Sequence, residues 1–302
     1  MAKKIQYTLG NIIGAQTTKA RLMAHLDDLP SSPAIALEIE KIAADPNYKT
    51  PILEKSIKKD EALAAKLLRL VNSAFFGLSK PVTSLTRAIL MVGKNTIRNM
   101  VFTLSTSQLL MQNVPVYGYK RLGLWTHSIG GGIAASALGE KLGATDGSKE
   151  ELFVAGLLHD MGKLVLAKFL SSATPEQKVI LNQGSPASLD VERELTGFDH
   201  AELGLVIAQR WKLSEMLGEI IRWHHAPSMA QTYPHGAFLV HLGDICIRRM
   251  GLGFERDQPK PTTPDVAAMK RFQFNTVALD SMALFVAEEF EKQKIFYSLQ
   301  EQ

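Results

Sequence analysis

The sequence predicts an all-α protein, and three observations carry that expectation. Apolar residues recur at intervals of three and four along nearly the whole chain, strand-type alternation is almost absent, and capping and stop signals bracket many of the apolar runs. No repeat of fixed period appears. Two packed helical subdomains are expected, residues 1–118 and 119–302, joined near residues 112–119, where Pro115 and Gly118 in "QNVPVYGYK" interrupt the helical pattern.

The elements follow in order. "SPAIALEIEKIAADP" reads as a helix capped by Ser32 and ended by Pro46. In "TPILEKSIKKD", Thr50 is the expected cap and Pro51 the first helical residue, where a missing N–H costs nothing. "EALAAKLLRLVNSAFFG" places Leu63, Leu67, Leu70 and Val71 on one face and should stop at Gly77. "SLTRAILMVGKNTIRNMVFTLSTSQLL" is either one bent helix or two consecutive ones. In the second half, "LWTHSIGGGIAASALGEKLG" and "EELFVAGLLHDMGKLVLAKFL" each read as helical. Two shorter helices follow "GSPASLDVERELTGF": one starts at a capping box of Asp199 and Glu202, the other runs from Ser214 until Pro227 stops it. "HGAFLVHLGDICIRRMG" is a further helix, the proline-rich "FERDQPKPTTPD" a loop, and "VALDSMALFVAEEFEKQKIF" a final amphipathic helix.

Composition narrows the function classes. With 302 residues, 46% hydrophobic and 21% charged, the chain has ordinary globular character and enough length for a large core. A net charge of +4 suits attraction to a phosphorylated small molecule or nucleotide but falls short of a nucleic-acid footprint. Aromatic residues, at 7%, are too few for a single-strand stacking platform, so no nucleic-acid partner is expected. One cysteine, Cys246, excludes an internal disulfide and a Cys-rich zinc site. "MAKKIQYTLGNIIGAQ" has no continuous apolar segment or cleavage site, and no run approaches the ~18 apolar residues of a membrane span. A cytoplasmic location without membrane contact is the expectation.

Seven of the eight histidines lie after residue 126. A lone histidine on an apolar helix is usually a satisfied core or surface residue, but here carboxylates accompany them. "GLLHDMGKLVL" sets His159 beside Asp160, with Lys163 at i+4 from His159, among Val154, Leu157, Leu158, Met161 and Val165. A carboxylate buried there needs a cation, which is either Lys163 in a structural ion pair or a metal. In "WHHAP", His224 and His225 would repel if both were protonated; both neutral, they can ligate one ion. Alternatively they cap the helix carboxyl end while Ile221 and Trp223 fill the core. His200 lies in the first turn after Asp199, a weak signal when taken singly. His127 lies one turn before Gly130, Gly131 and Gly132, three helical glycines that cost about 1 kcal/mol each against alanine. That cost is tolerable where a second backbone must approach closely. Asp244 stands amid Leu242, Ile245 and Ile247, with His241 at i−3 and Arg248 at i+4 as a candidate partner.

The ordered set His127, His159-Asp160, His200, His224-His225 and Asp244 resembles the ligand series of the HD superfamily of metal-dependent phosphohydrolases. More closely, the chain resembles HDOD proteins (HD-related output domain). "LPSSPAIALEIEKIAADPN", "LLRLVNSAFFGLSKPVTSLTRAILMVGKNTIRNMV" and "AELGLVIAQRWKLSEMLGEIIRWHHAP" also look like that family, so the likeness covers roughly residues 26–250. It implies an HD-like carboxyl-terminal subdomain with a His/Asp metal cage. His127, His159, Asp160 and Asp244 would hold one ion; Asp160 would bridge to a second, completed by His200, His224 and His225. It further implies that Lys163, with Asp160, acts on the phosphoryl group. An imidazole and carboxylate set without thiolate suits iron, manganese, cobalt or zinc, and the resemblance favours iron or an iron/manganese pair.

HDOD proteins are generally bacterial signalling modules, which implies signalling protein partners, and many lack the metal ligands that this chain keeps. It departs from the HD-GYP branch: "APSMAQTYPHG" follows "WHH" without that branch's acidic residue and Gly-Tyr-Pro signature. Gly123 stands where some relatives carry a glutamate for a third ion. Both departures argue against cyclic di-GMP cleavage. Three readings follow: a metal-retaining signalling protein, an active phosphohydrolase on nucleotides or phosphoesters, and a metal-free interaction module.

Overall fold

The computed structural model describes residues 22, 33–45, 47–73, 76–78, 80–183, 186–254 and 264–298. Among these the protein is all-α, and the one β feature is an isolated antiparallel bridge between Tyr119 and Phe254.

The first half comprises α1 (Ala34–Ala44), α2 (Thr50–Ile57), α3 (Glu61–Val71), α4 (Leu85–Val92) and α5 (Lys94–Leu110). The expected cap Ser32 lies outside the described residues. Thr50 is already helical and Lys49 takes the cap position, one residue earlier than expected, with Pro51 in the first turn. Helix α3 begins where Asp60 accepts the Leu63 N–H, and it buries Leu63, Leu67, Leu70 and Val71 as the spacing predicts. It ends at Val71 rather than Gly77. There the Asn72 side chain donates to the carbonyls of Leu68 and Val82 and accepts the Val82 N–H, so the chain turns early. Between α4 and α5, Gly93 has φ +85°, a left-handed conformation that resolves the long segment into two helices. Helix α5 packs on α1 and α3 and, across the molecule, on α6 (Gly123–Leu142) and α7 (Lys149–Leu158).

After α7 come α8 (Gly162–Leu166), α9 (Pro175–Gln183), α10 (Pro186–Thr196), α11 (His200–Arg210), α12 (Glu215–Trp223), α13 (Pro234–Arg249), α14 (Val266–Arg271) and α15 (Thr276–Ser298). Helix α6 is central, with α5, α7, α13 and α15 against it. It lacks a polar stripe because it is buried on nearly every side over the Gly123–Ala135 stretch. Its glycines permit the tightest crossing. A Cβ on Gly131 would lie 2.6 Å from the Gly156 carbonyl oxygen, and one on Gly156 would lie 2.3 Å from that of Gly131. The two backbones therefore touch, which puts His127, one turn before Gly131, beside His159, one turn after Gly156.

Two further expectations need correction. "EELFVAGLLHDMGKLVLAKFL" is not continuous: the chain tightens between α7 and α8, where the N–H groups of Met161, Lys163 and Leu164 reach the carbonyls of Leu158, Asp160 and Met161. With three residues per turn, Asp160 and Lys163 eclipse each other, so Lys163 is aligned at i+3 with Asp160 rather than at i+4 with His159. Helices α9 and α10 have no counterpart in the sequence expectation. Helix α10 buries Ser188, Glu192 and Thr196 beside Val191, and this polar inner face conceals its periodicity.

Gly156→Ala tests the crossing. Helix propensity alone would gain about 1 kcal/mol, while forcing a methyl into a backbone contact costs about 1–3 kcal/mol or more. The expected outcome in thermal unfolding is a lower Tm; a raised Tm would refute direct backbone contact.

Candidate metal centre

The seven expected ligands come from five places in the fold. Helix α6 supplies His127, the α7–α8 turn His159 and Asp160, the start of α11 His200, the end of α12 His224 and His225, and α13 Asp244. The structure brings all seven together in two sets. Ligand atoms of Asp160, His200, His224 and His225 lie within 4.8 Å of one another, and so do those of His127, His159 and Asp244.

Asp160 stands between the sets. Its Oδ2 lies 3.4 Å from Nε2 of His127 and 3.5 Å from Nε2 of His159. Its Oδ1 lies 3.2 Å from Nε2 of His200 and 3.7 Å from Nε2 of His224. Asp244 Oδ1 closes the first set at 3.1 Å from His127 Nε2 and 3.8 Å from His159 Nε2. In the second set, Nε2 of His200 and Nε2 of His225 are 2.9 Å apart.

The outer ring nitrogens fix which atoms face inward. His159 Nδ1 is 2.7 Å from the Gly156 carbonyl, and His224 Nδ1 is 2.7 Å from that of Ile221. Each contact requires an N–H at Nδ1, which leaves the Nε2 lone pair for the centre. The chemistry of the inner atoms fits metal. Nε2 of His127, His159 and His224 and Oδ1 of Asp160 and Asp244 are buried without a hydrogen-bond partner. An unsatisfied buried acceptor costs about 1–3 kcal/mol, so several converging acceptors call for a shared cation. Imidazole and carboxylate donors without thiolate suit iron, manganese, cobalt or zinc.

The two carboxylates and the His224-His225 pair have the charge states that ligands need, whereas His159 and His200 are drawn toward protonation by neighbouring carboxylates, a proton that a bound cation would displace. Burial opposes ionisation of Asp160, yet the Lys163 ammonium and the surrounding imidazoles hold its carboxyl well below the usual range. Burial likewise opposes ionisation of Asp244, and His127, His159 and Arg248 hold it low. Burial and neighbouring imidazoles push His224 and His225 well down, leaving them neutral. For His159, burial is outweighed by Asp160 and Asp244 and the value rises. For His200, burial is outweighed by the Glu192 carboxylate, which pushes it up to about 9.

Lys163 is buried, with Nζ 2.5 Å from Asp160 Oδ2 and 3.3 Å from Tyr119 Oη. The ion pair that the sequence offered as an alternative to metal is therefore present. It satisfies Oδ2 of Asp160 but none of the orphaned atoms, which it leaves without a counter-charge. Arg248 donates to the Gln183 carbonyl and lies 5.2 Å from the Phe254 ring centre, so its hydrogen bond goes elsewhere while its charge still helps to hold the Asp244 carboxyl low.

Sequence reasoning missed several supporting residues. Tyr119, within the expected connection, donates to Asp160 Oδ2 at 3.0 Å and stacks on Phe254 at 4.7 Å; Phe254 in turn meets His127 edge-on at 5.5 Å. Two tyrosines in a short connection of an aromatic-poor chain were the available signal. Glu192 contacts His200, and its signal was an acidic residue beside Val191 on a buried face. His241 is no ligand: its Nδ1 is 2.8 Å from the His224 carbonyl, and its Nε2 accepts the Asp265 N–H. His235 is apart from the cage, against Thr145. At Gly123 a Cβ would lie 2.0 Å from the Gly253 carbonyl oxygen, so no side chain, and no third-ion glutamate, fits there.

Comparison with known proteins places this geometry. The HDOD domain profile matches residues 29–227. An uncharacterized protein from Treponema pallidum (strain Nichols) is 29% identical over 287 residues; the match covers 92% of this chain but 54% of that protein, so the chain spans about half of its relative's length. Among solved structures, an HDOD domain protein of unknown function from Geobacter sulfurreducens is similar with TM-score 0.67 and 23% identity, covering 94% of this chain and 96% of that one. A protein from Marinobacter aquaeolei VT8, provisionally described as acting in signal transduction, aligns with TM-score 0.75 and 19% identity over 99% of this chain and 68% of that one. One from Shewanella amazonensis SB2B, provisionally described as a phosphohydrolase, aligns with TM-score 0.67 and 23% identity over 92% and 97%. At these identities the structures establish a shared fold, and the profile match over most of the chain establishes descent: the chain belongs to the HDOD domain family.

Proposed function

We propose that this chain is a signalling or output HDOD protein that holds a pair of transition-metal ions and binds a phosphorylated small molecule or nucleotide beside them. One observation carries the reading: the two oxygens of the buried Asp160 face separate sets of ligands, and five of the inner atoms have no hydrogen-bond partner. His127, His159 and Asp244 with Asp160 would hold one ion, and His200, His224 and His225 with Asp160 the other. Iron, or iron with manganese, is the favoured pair; zinc and cobalt share the donor preference. When bound, such a pair supplies Lewis acidity toward phosphoryl oxygens and activates water.

The chain's own residues do the remaining work. Lys163, positioned by Asp160 and Tyr119, offers positive charge to an anionic ligand in a low-dielectric setting. Leu158, Met161 and Leu164 are buried around the turn that presents it and keep that turn rigid. Residues 1–118 contribute none of the seven ligands, which supports reading them as a partner-contacting half and residues 119–302 as the metal-holding half. Signalling partners are in keeping with family membership and with the description of the Marinobacter relative. No helix among the described residues is long and apolar enough to cross a membrane.

A second reading, metal-dependent hydrolysis of a nucleotide or phosphoester, is favoured by the buried Lys163 ammonium next to the bridging carboxylate. The two readings share the cage and differ in turnover.

Elemental analysis of protein purified without chelator is expected to find about two metal equivalents, lost in Asp160→Ala with helical circular dichroism retained. A folded wild-type protein without metal would leave the metal-free interaction module. Turnover is tested separately on a panel of nucleotides and phosphoesters with added iron or manganese. If the protein hydrolyses one of them, Lys163→Met is expected to lower kcat by ~10²–10³ with metal content unchanged. Absence of turnover by the loaded protein would favour the binding reading.

A further inference from the structure

Glu192 belongs to none of the expected ligand positions, yet it is completely buried on the inner face of α10. Its Oε2 accepts the backbone N–H of His200 at 2.7 Å, and its two oxygens lie 2.9 and 2.8 Å from His200 Nδ1. A carboxylate only accepts, so Nδ1 carries the hydrogen. In the neutral ring that ligation requires, His200 Nε2 is thereby left as the acceptor, facing Asp160 Oδ1 and His225. Capping accounts for the contact to the His200 N–H but not for the two contacts to the His200 ring, and Asp199 separately caps α11 by accepting the Glu202 N–H. Arg193, the next residue of α10, binds the Asp199 carboxylate, so two successive residues of α10 grip two successive residues at the start of α11. His159 and His224 are backed only by neutral carbonyls of their own helices, whereas a carboxylate behind an imidazole also strengthens its metal-facing nitrogen.

We infer that Glu192 is a positioning residue for the second ion: it locks His200 as an Nε2 ligand and tightens the set formed by Asp160, His200, His224 and His225. This inference rests on the metal-holding reading above. It predicts that the two ions respond differently when Glu192 is changed. Glu192 backs a ligand of the second set, whereas the first set is built on His127, His159 and Asp244, with His159 backed by the Gly156 carbonyl.

The test loads wild type and Glu192→Gln with zinc, dialyses both against graded chelator, and measures metal equivalents alongside circular dichroism. In the glutamine variant an N–H₂ group takes the place of one accepting oxygen. One equivalent should leave at chelator concentrations about 10–100-fold lower than in wild type while the other is retained. Two equivalents retained as in wild type, or both lost in parallel, would overturn the inference. Should the variant fail to fold, long-range ¹⁵N–¹H spectra of zinc-loaded wild type decide: His200 is expected protonated at Nδ1 and metal-bound at Nε2, and the reverse tautomer would refute the role. Wild type that takes up no zinc would overturn the metal-holding reading together with this one, whereas wild type with two equivalents and an unaltered variant would overturn this one alone.

Discussion

A carboxylate with almost no solvent exposure lies at the middle of this fold, and much of the second half is arranged to neutralise it. Asp160 cannot stay ionised at that depth without positive charge close by. Lys163 and Tyr119 serve Oδ2, while Oδ1 faces imidazoles from α11 and α12 with no hydrogen bond to either. Packing places the counter-groups within reach; a shared cation would turn their unsatisfied lone pairs from a cost into bonds. On this account stability and metal affinity are coupled, because several buried acceptors have no other means of compensation.

The scaffold meets that demand by letting backbones touch. Gly131 against Gly156 brings α6 onto α7, and a Cβ on Gly162 would lie 1.9 Å from the His200 carbonyl oxygen, so the α8 start rests directly on the α11 start. These contacts set His127, His159, Asp160 and His200 around one point. The shortened turn between α7 and α8 then lets Asp160 and Lys163 share a direction. Outer hydrogen bonds to Gly156, Ile221 and Glu192 hold three of the rings.

Much of this was legible in the sequence. The helical periodicity, the capping box at Asp199, the Ser214 cap and the reason for the glycines near His127 all correspond to what the chain does. The seven converging residues could be picked out because Asp160, the His224-His225 pair and Asp244 stood among apolar residues, His127 stood beside three helical glycines, and the order of the whole set, His200 included, resembled a known series. What was not legible depends on contacts between distant segments or on local geometry without an apolar signature. The 3₁₀-like turn at residues 159–161 lies in a stretch buried on every side, so no change of pattern marks it. Glu192 and Tyr119 acquire meaning only when α10 and the connection after α5 fold back onto the cage. Helix α10 was itself concealed because its inner face is largely polar.

The central claim is spatial: two ions, one on each side of the Asp160 carboxylate. Anomalous diffraction from crystals grown with manganese or iron tests it directly. Two peaks about 3.5–4 Å apart are expected, one among His127, His159 and Asp244 and the other among His200, His224 and His225, both in contact with Asp160. A map without peaks at these residues, or with metal bound elsewhere on the chain, would contradict the account.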